Sequence, residues 1–110
     1  MKEIIEKLKF NNDGLIPAIA QQHDDNEIKM LAYMNKESIL KTLETKDVYY
    51  YSRSRKELWR KGATSGHTQK LVEFYYDCDA DTILLKIQQK GPACHTGRDN
   101  CFFNKVTIPS

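Results

Sequence analysis

Apolar and polar positions alternate in distinct ways along the chain, and the pattern divides it into short elements. Ile4, Ile5 and Leu8 share one face of a predicted amphipathic helix at about residues 2–9. Two predicted strands follow, Leu15 to Gln22 and Ile28 to Met34. They are separated by the polar turn His23-Asp24-Asp25-Asn26. Asn35 then offers an N-cap for a helix from Lys36 to about Thr45, with Ile39, Leu40 and Leu43 toward the core. Val48 to Ser52, Leu71 to Tyr76 and Thr82 to Gln88 are rich in β-branched and aromatic residues and predict strands. Phe102 to Ile108 predicts a last one. Polar loops fill Arg53 to Gln69 and Gln89 to Cys101. The expected fold class is α+β and strand-dominated, a small mixed sheet or pseudo-barrel with one or two helices and with its chemistry in loops and strand ends.

Length and composition narrow the class. A chain of 110 residues, 40% hydrophobic and 29% charged, predicts one soluble domain over residues 1–110. A net charge of +2 is too small to argue for a nucleic-acid partner. There is no apolar run of membrane-spanning length and no signal-peptide pattern at the start, so no membrane partner is expected and a cytoplasmic location is. Three cysteines make a closed disulfide framework a poor reading. In a reducing compartment, clustered cysteines point to metal or catalysis.

Three segments carry the candidate chemistry. Cys78, Cys94 and Cys101 follow one another at spacings of 16 and 7. Three thiolates plus water or a histidine would complete a zinc tetrahedron, with His23, His67 and His95 available for closure. The paired C-x-x-C of zinc ribbons is absent, and small buried cysteines are the plainer alternative. Around Cys78 run Asp77, Asp79 and Asp81. On an extended strand these carboxylates would share one face, with the outer two about 13 Å apart. That exceeds the reach of one magnesium ion unless the chain curls or a partner contributes. An EF-hand is excluded by Thr82 and Gln88 at the positions that need Gly and Glu. The third segment is basic, with Arg53, Arg55, Lys56, Arg60 and Lys61 leading into Gly62-Ala63-Thr64-Ser65-Gly66-His67. This is not a Walker loop, but its amides, hydroxyls and cations could cradle phosphate, and Trp59 could stack on a base.

Together these residues resemble the phosphoribosyl-AMP cyclohydrolase family of histidine biosynthesis. The matching stretches are Met30 to Asn35, Tyr51 to Arg55 with Leu58-Trp59, Lys61-Gly62 and Thr64 to His67. Asp77 to Asp81, Gly91 to Gly97 and Cys101-Phe102 complete the set. The resemblance implies hydrolytic opening of the purine ring of phosphoribosyl-AMP between N1 and C6. It implies zinc on Cys78, Cys94 and Cys101, magnesium on Asp77, Asp79 and Asp81, and an intertwined homodimer with a shared zinc site. His95, or else His67, is the expected general base, His67 alternatively protonating N1. The water to be activated would be held by zinc. Arg53, Arg55, Trp59, Lys61, Thr64, Ser65 and Gly66 are the expected substrate contacts. The chain departs from the family at Ala63, where Glu is usual. No C-terminal pyrophosphohydrolase domain is expected in this length. Two other readings are a catalytically impaired relative, suggested by Ala63, and a zinc-stabilised nucleic-acid module using the basic loop.

Overall fold

The computed structural model describes residues 2–109. Its elements in order are α1 (Lys2–Lys7), β1 (Ile16–Gln22), β2 (Ile28–Met34), α2 (Lys36–Thr45), β3 (Tyr49–Ser52), β4 (Glu57–Arg60), β5 (Gln69–Tyr76) and β6 (Ile83–Gln89). The six strands form one sheet in the order β4-β3-β2-β1-β6-β5. Every neighbouring pair is antiparallel except β1 and β6, so the sheet is mixed.

Strand alternation decides the inner face. Ile16, Ala18 and Ala20 of β1 face inward beside Ile83, Leu85 and Ile87 of β6, and all six are fully buried. The alanines stand in register with Ile83 and Leu85, so small side chains oppose large ones and the wall can curve without a void. Bulges at Ala20/Gln21 and Leu71/Glu73 add local bend. The sheet curls into a half-barrel far enough for β5 to meet the segment just ahead of β3. The Val48 amide donates to the Gln69 carbonyl at 3.0 Å and the Leu71 amide to the Lys46 carbonyl at 2.8 Å. Lys70 pairs with Asp47 across the same seam.

Helix α2 begins at a full capping box. Asn35 Oδ1 accepts from the Ser38 amide and Ser38 Oγ accepts from the Asn35 amide, each at 2.8 Å. The helix ends at Lys46 in a left-handed conformation, φ 64°. Ile39 is its fully buried contact with the core, while Leu43 packs at the core's margin.

Three expectations need correction. The basic loop holds a strand of its own: Glu57–Arg60 pairs with β3 as a hairpin, with Tyr50 opposite Trp59. Its charged ends bracket only two adjacent apolar residues, Leu58 and Trp59, too few to show an alternation. Phe102 to Ile108 forms no strand, because no described segment pairs with it; Phe102, Val106 and Ile108 stay exposed. The first helix stops at Lys7, and Leu8 turns into the core. Among the described residues, no helix is long and apolar enough to cross a membrane.

The capping box sets a stability prediction. Asn35→Ala removes the acceptor for the Ser38 amide and should cost about 1 kcal/mol in urea unfolding, whereas Asn35→Ser should retain most of that.

Candidate active site

A cleft of about 490 Å³ opens between three segments. Strand β4 supplies Trp59 and Arg60. The following loop supplies Lys61, Gly62, Ala63, Thr64, Ser65 and His67. The loop after β6 supplies Pro92, Ala93, Cys94, His95 and Gly97, and Arg55 stands at the rim. A second cavity of about 570 Å³ adjoins it through Arg55, Trp59 and His95, and adds Ser52 and Ser54. Sequence reasoning anticipated most of this lining. It passed over Arg60 as a site residue, although its place in the charged run was visible.

Two glycines hold the loop in shape. Gly62, φ +83°, lies so close to the His67–Thr68 backbone that a Cβ would sit 2.5 Å from it. Gly91, φ +73°, forms the seat of the His67 ring: a Cβ there would lie 2.6 Å from Cδ2. The Ser65 hydroxyl accepts from the His67 amide at 3.1 Å. Gly66, also at positive φ, turns the loop without lining the cleft.

Cys94 lines the cleft, and the Cys101 thiol lies beside it. The loop folds back on itself, with the Cys94 amide donating to the Arg98 carbonyl at 3.1 Å. Cys101 is fixed by its amide, which donates to the Lys29 carbonyl at 2.8 Å. The Thr96 hydroxyl donates to Cys94 Sγ at 3.1 Å, and this bond leads the causes that hold the Cys94 thiol below its ordinary range. Burial, and then Cys94 itself, push Cys101 up. Of the pair, Cys94 is therefore the first to become a thiolate. Lys61 is half-buried beside both sulfurs. Its ammonium donates to the Ala93 carbonyl at 2.6 Å, so it faces the cysteine loop as well as the cleft. Burial lowers its pKa, and the two sulfurs oppose that shift.

The acidic run is not a strand. The Ala80 amide donates to the Asp77 carbonyl at 3.0 Å, Ala80 is left-handed at φ 61°, and Asp77 Oδ1 accepts from the amides of Asp81 and Thr82. The chain curls, and one oxygen from each of Asp77, Asp79 and Asp81 lies within 4.8 Å of the others. The 13 Å separation of an extended run therefore does not arise. An octahedral magnesium places its oxygen ligands about 3 to 4.2 Å apart, so a small inward movement fits the three carboxylates to it.

Arg53 and Cys78, like Gly66 and the three aspartates, stand apart from the cleft. The Arg53 guanidinium lies over the Tyr33 ring, 4.2 Å from its centroid, and lines a separate depression with Asp13, Leu15, Tyr51 and Lys56. Cys78 is exposed on the acidic turn. That turn follows the far end of β5, while Gln69, at the near end, leads from His67; eight residues of strand span roughly 23 Å. Within one chain, Cys78 does not join Cys94 and Cys101 as a third ligand.

Imidazole, indole, guanidinium and thiol groups around one cleft give this α+β domain the equipment of an enzyme. The phosphoribosyl-AMP cyclohydrolase family model matches residues 30–103. A phosphoribosyl-AMP cyclohydrolase of Trichormus variabilis is 64% identical over 104 residues, covering 94% of this chain and 90% of that protein. One from Acidiphilium cryptum is 61% identical with the same coverage. A histidine biosynthesis bifunctional protein of Prochlorococcus marinus is 62% identical over 93% of this chain, which spans 47% of it. The chain belongs to the phosphoribosyl-AMP cyclohydrolase family, hydrolases that act on a cyclic C–N bond.

The acidic turn makes a prediction about order of ionisation. In metal-free protein, desolvation alone would raise the Asp77 carboxyl, but hydrogen bonds from the Asp81 and Thr82 amides and with the Asp81 and Asp79 side chains together hold it low; Asp79 holds the Asp81 carboxyl high, through a shared hydrogen bond and its charge. As pH rises, Asp77 should ionise before Asp81 in carbon-detected NMR. In Asp79→Asn the Asp81 transition should move to lower pH.

Proposed function

We propose that this protein opens the purine ring of phosphoribosyl-AMP by hydrolysis of the N1–C6 bond, as a step of histidine biosynthesis. The observation that carries this reading is the cleft itself, which sets His95 and His67 around a space walled by Trp59 and floored by Cys94. Water oxygen ends on C6 as the carboxamide oxygen, and N1 leaves that carbon with a proton. Trp59 offers the face on which the purine stacks, and Arg55 and Arg60 are placed to hold phosphate at the rim. Thr64 and Ser65 add hydroxyls on the same wall. Remote phosphate contacts of this kind fix the ring against the reacting groups. His95, exposed at the junction of the two cavities, takes the proton from the attacking water, and His67 delivers one to N1.

Zinc suits the thiol pair. Cys94, with its lowered pKa, and Cys101 would hold it, and Cys78 of a second copy would supply the third sulfur that one chain keeps elsewhere. When bound, zinc acidifies a water and so supplies the nucleophile at neutral pH. Magnesium suits the Asp77, Asp79 and Asp81 oxygens. The shared site is the reason to assign a homodimer.

Ala63 favours a second reading. It lies exposed in the cleft wall where family members usually carry Glu, so one carboxylate beside Arg60 and Lys61 is missing. This could lower turnover while leaving the fold intact.

Ring opening of phosphoribosyl-AMP, followed by ultraviolet absorbance, tests the activity. His95→Ala should lower kcat by about 10²- to 10⁴-fold with zinc content unchanged. A silent wild type rescued by Ala63→Glu would identify an impaired relative, and silence in both would remove the cyclohydrolase reading. The shared zinc site has its own test. Cys78→Ser and Cys94→Ser chains should each be inactive, yet co-refolded together they should recover about a quarter of wild-type activity, because half the dimers would be mixed and each would keep one intact site. No recovery would remove the shared arrangement.

A further inference from the structure

One buried polar chain is not used by the chemistry above. The Tyr50 hydroxyl donates to Gln69 Oε1 at 2.6 Å. Gln69 Nε2 donates to Gln89 Oε1 at 2.8 Å and to Met30 Sδ at 3.3 Å. Gln89 Nε2 reaches the His67 carbonyl at 3.4 Å and the Lys90 carbonyl at 3.3 Å. Tyr50 and Gln69 are fully buried, at 0% exposure. Gln69 and Gln89 face each other in register across β5 and β6.

The direction of this chain is fixed by chemistry. A thioether offers no proton, so the Gln69 amide nitrogen must face Met30, and its oxygen must accept from Tyr50. Burial keeps the Tyr50 hydroxyl protonated far beyond physiological pH, so it always donates. No buried side-chain nitrogen or oxygen among the described residues is left unpaired. A leucine or methionine would fill the volume of Gln69 without the cost of burying an amide. A fully satisfied buried network instead selects one geometry.

Both ends of the chain touch the cleft. The Tyr50 ring lies against the Trp59 ring, with centroids 5.2 Å apart and planes at 41°. At the other end, Gln89 holds the backbone of His67, whose ring rests on Gly91 two residues beyond Gln89. The backbone of Gln69 also accepts from the Val48 amide, and the Val48 carbonyl accepts from the Lys61 amide. Gln69 therefore stands where the two cleft walls meet.

We propose that Gln69, bridged by Tyr50 and Gln89, is a positioning residue that locks the Trp59 wall to the His67 wall and so sets the imidazole relative to the stacked purine. This rests on the ring-opening reading, in which His67 and Trp59 act on the substrate. It adds a residue that touches no ligand and acts through two that do.

Tyr50→Phe and Gln69→Met test it, with Ile39→Val as a control that loosens the core away from the cleft. Tyr50→Phe keeps the ring contact with Trp59 and cuts only the hydrogen bond. In both variants kcat should fall about 10- to 100-fold, the scale of an ångström-level misplacement, while KM changes less than about threefold. Ile39→Val should lower the melting temperature and leave kcat alone. In ligand-free protein, the His67 ring NMR resonances should shift in both variants and not in Ile39→Val, and the emission of Trp59, the single tryptophan, should move with them. Unchanged His67 resonances, or a retained kcat with only a lower melting temperature, would reduce the chain to core packing. An inactive wild type would count against the ring-opening reaction alone, and the ligand-free resonances would still decide on Gln69.

Discussion

The closure of the sheet is the constraint on which the rest depends. Two backbone hydrogen bonds, from Val48 to Gln69 and from Leu71 to Lys46, bring the last strand of the order round to the segment that opens β3. Without that seam, the β3–β4 hairpin and the β5–β6 hairpin would be the two ends of an open sheet. With it, the loop after β4 and the loop after β6 face each other, and Trp59, His67, His95 and Cys94 share one space. The seam falls where inward-facing Gln69 replaces the usual apolar residue, so core packing and cleft geometry are joined at one position.

Chemistry is divided between the two ends of the sheet. One end holds the cleft and the Cys94–Cys101 pair, and the other holds the acidic turn with Cys78. Each end is locally complete in its hydrogen bonding: Asp77 caps its own turn, and Thr96 serves Cys94.

The sequence carried the regular elements well and their closure poorly. The range Ile28 to Met34 and the helix from Lys36 to Thr45 match, because a dense apolar run and an Asn-x-x-Ser cap are local signals. Strand β4 was illegible because Glu57 and Arg60 bracket only two apolar residues, and pairing with β3 rather than propensity makes it a strand. Phe102 to Ile108 shows the reverse: strand-forming residues with no neighbour to complete their backbone bonds. Most cleft residues could be named from their types. What could not be read was the curl of Asp77 to Asp81, which depends on left-handed Ala80, or the placement of Arg53 over Tyr33, which depends on the hairpin.

Strand β5 also works as a ruler. Its eight residues, with the bulge between Leu71 and Glu73, set how far the acidic turn stands from the cysteine loop. One residue more or fewer would move the turn by about 3.3 Å and swap the faces of every side chain beyond the change. A surface loop absorbs such a change; this strand does so less readily, since it joins the cleft loop at one end to the acidic turn at the other. Length in β5 is thus under a tighter constraint than identity at its exposed positions, and insertions compatible with this architecture belong in turns such as His23 to Asn26, away from that span.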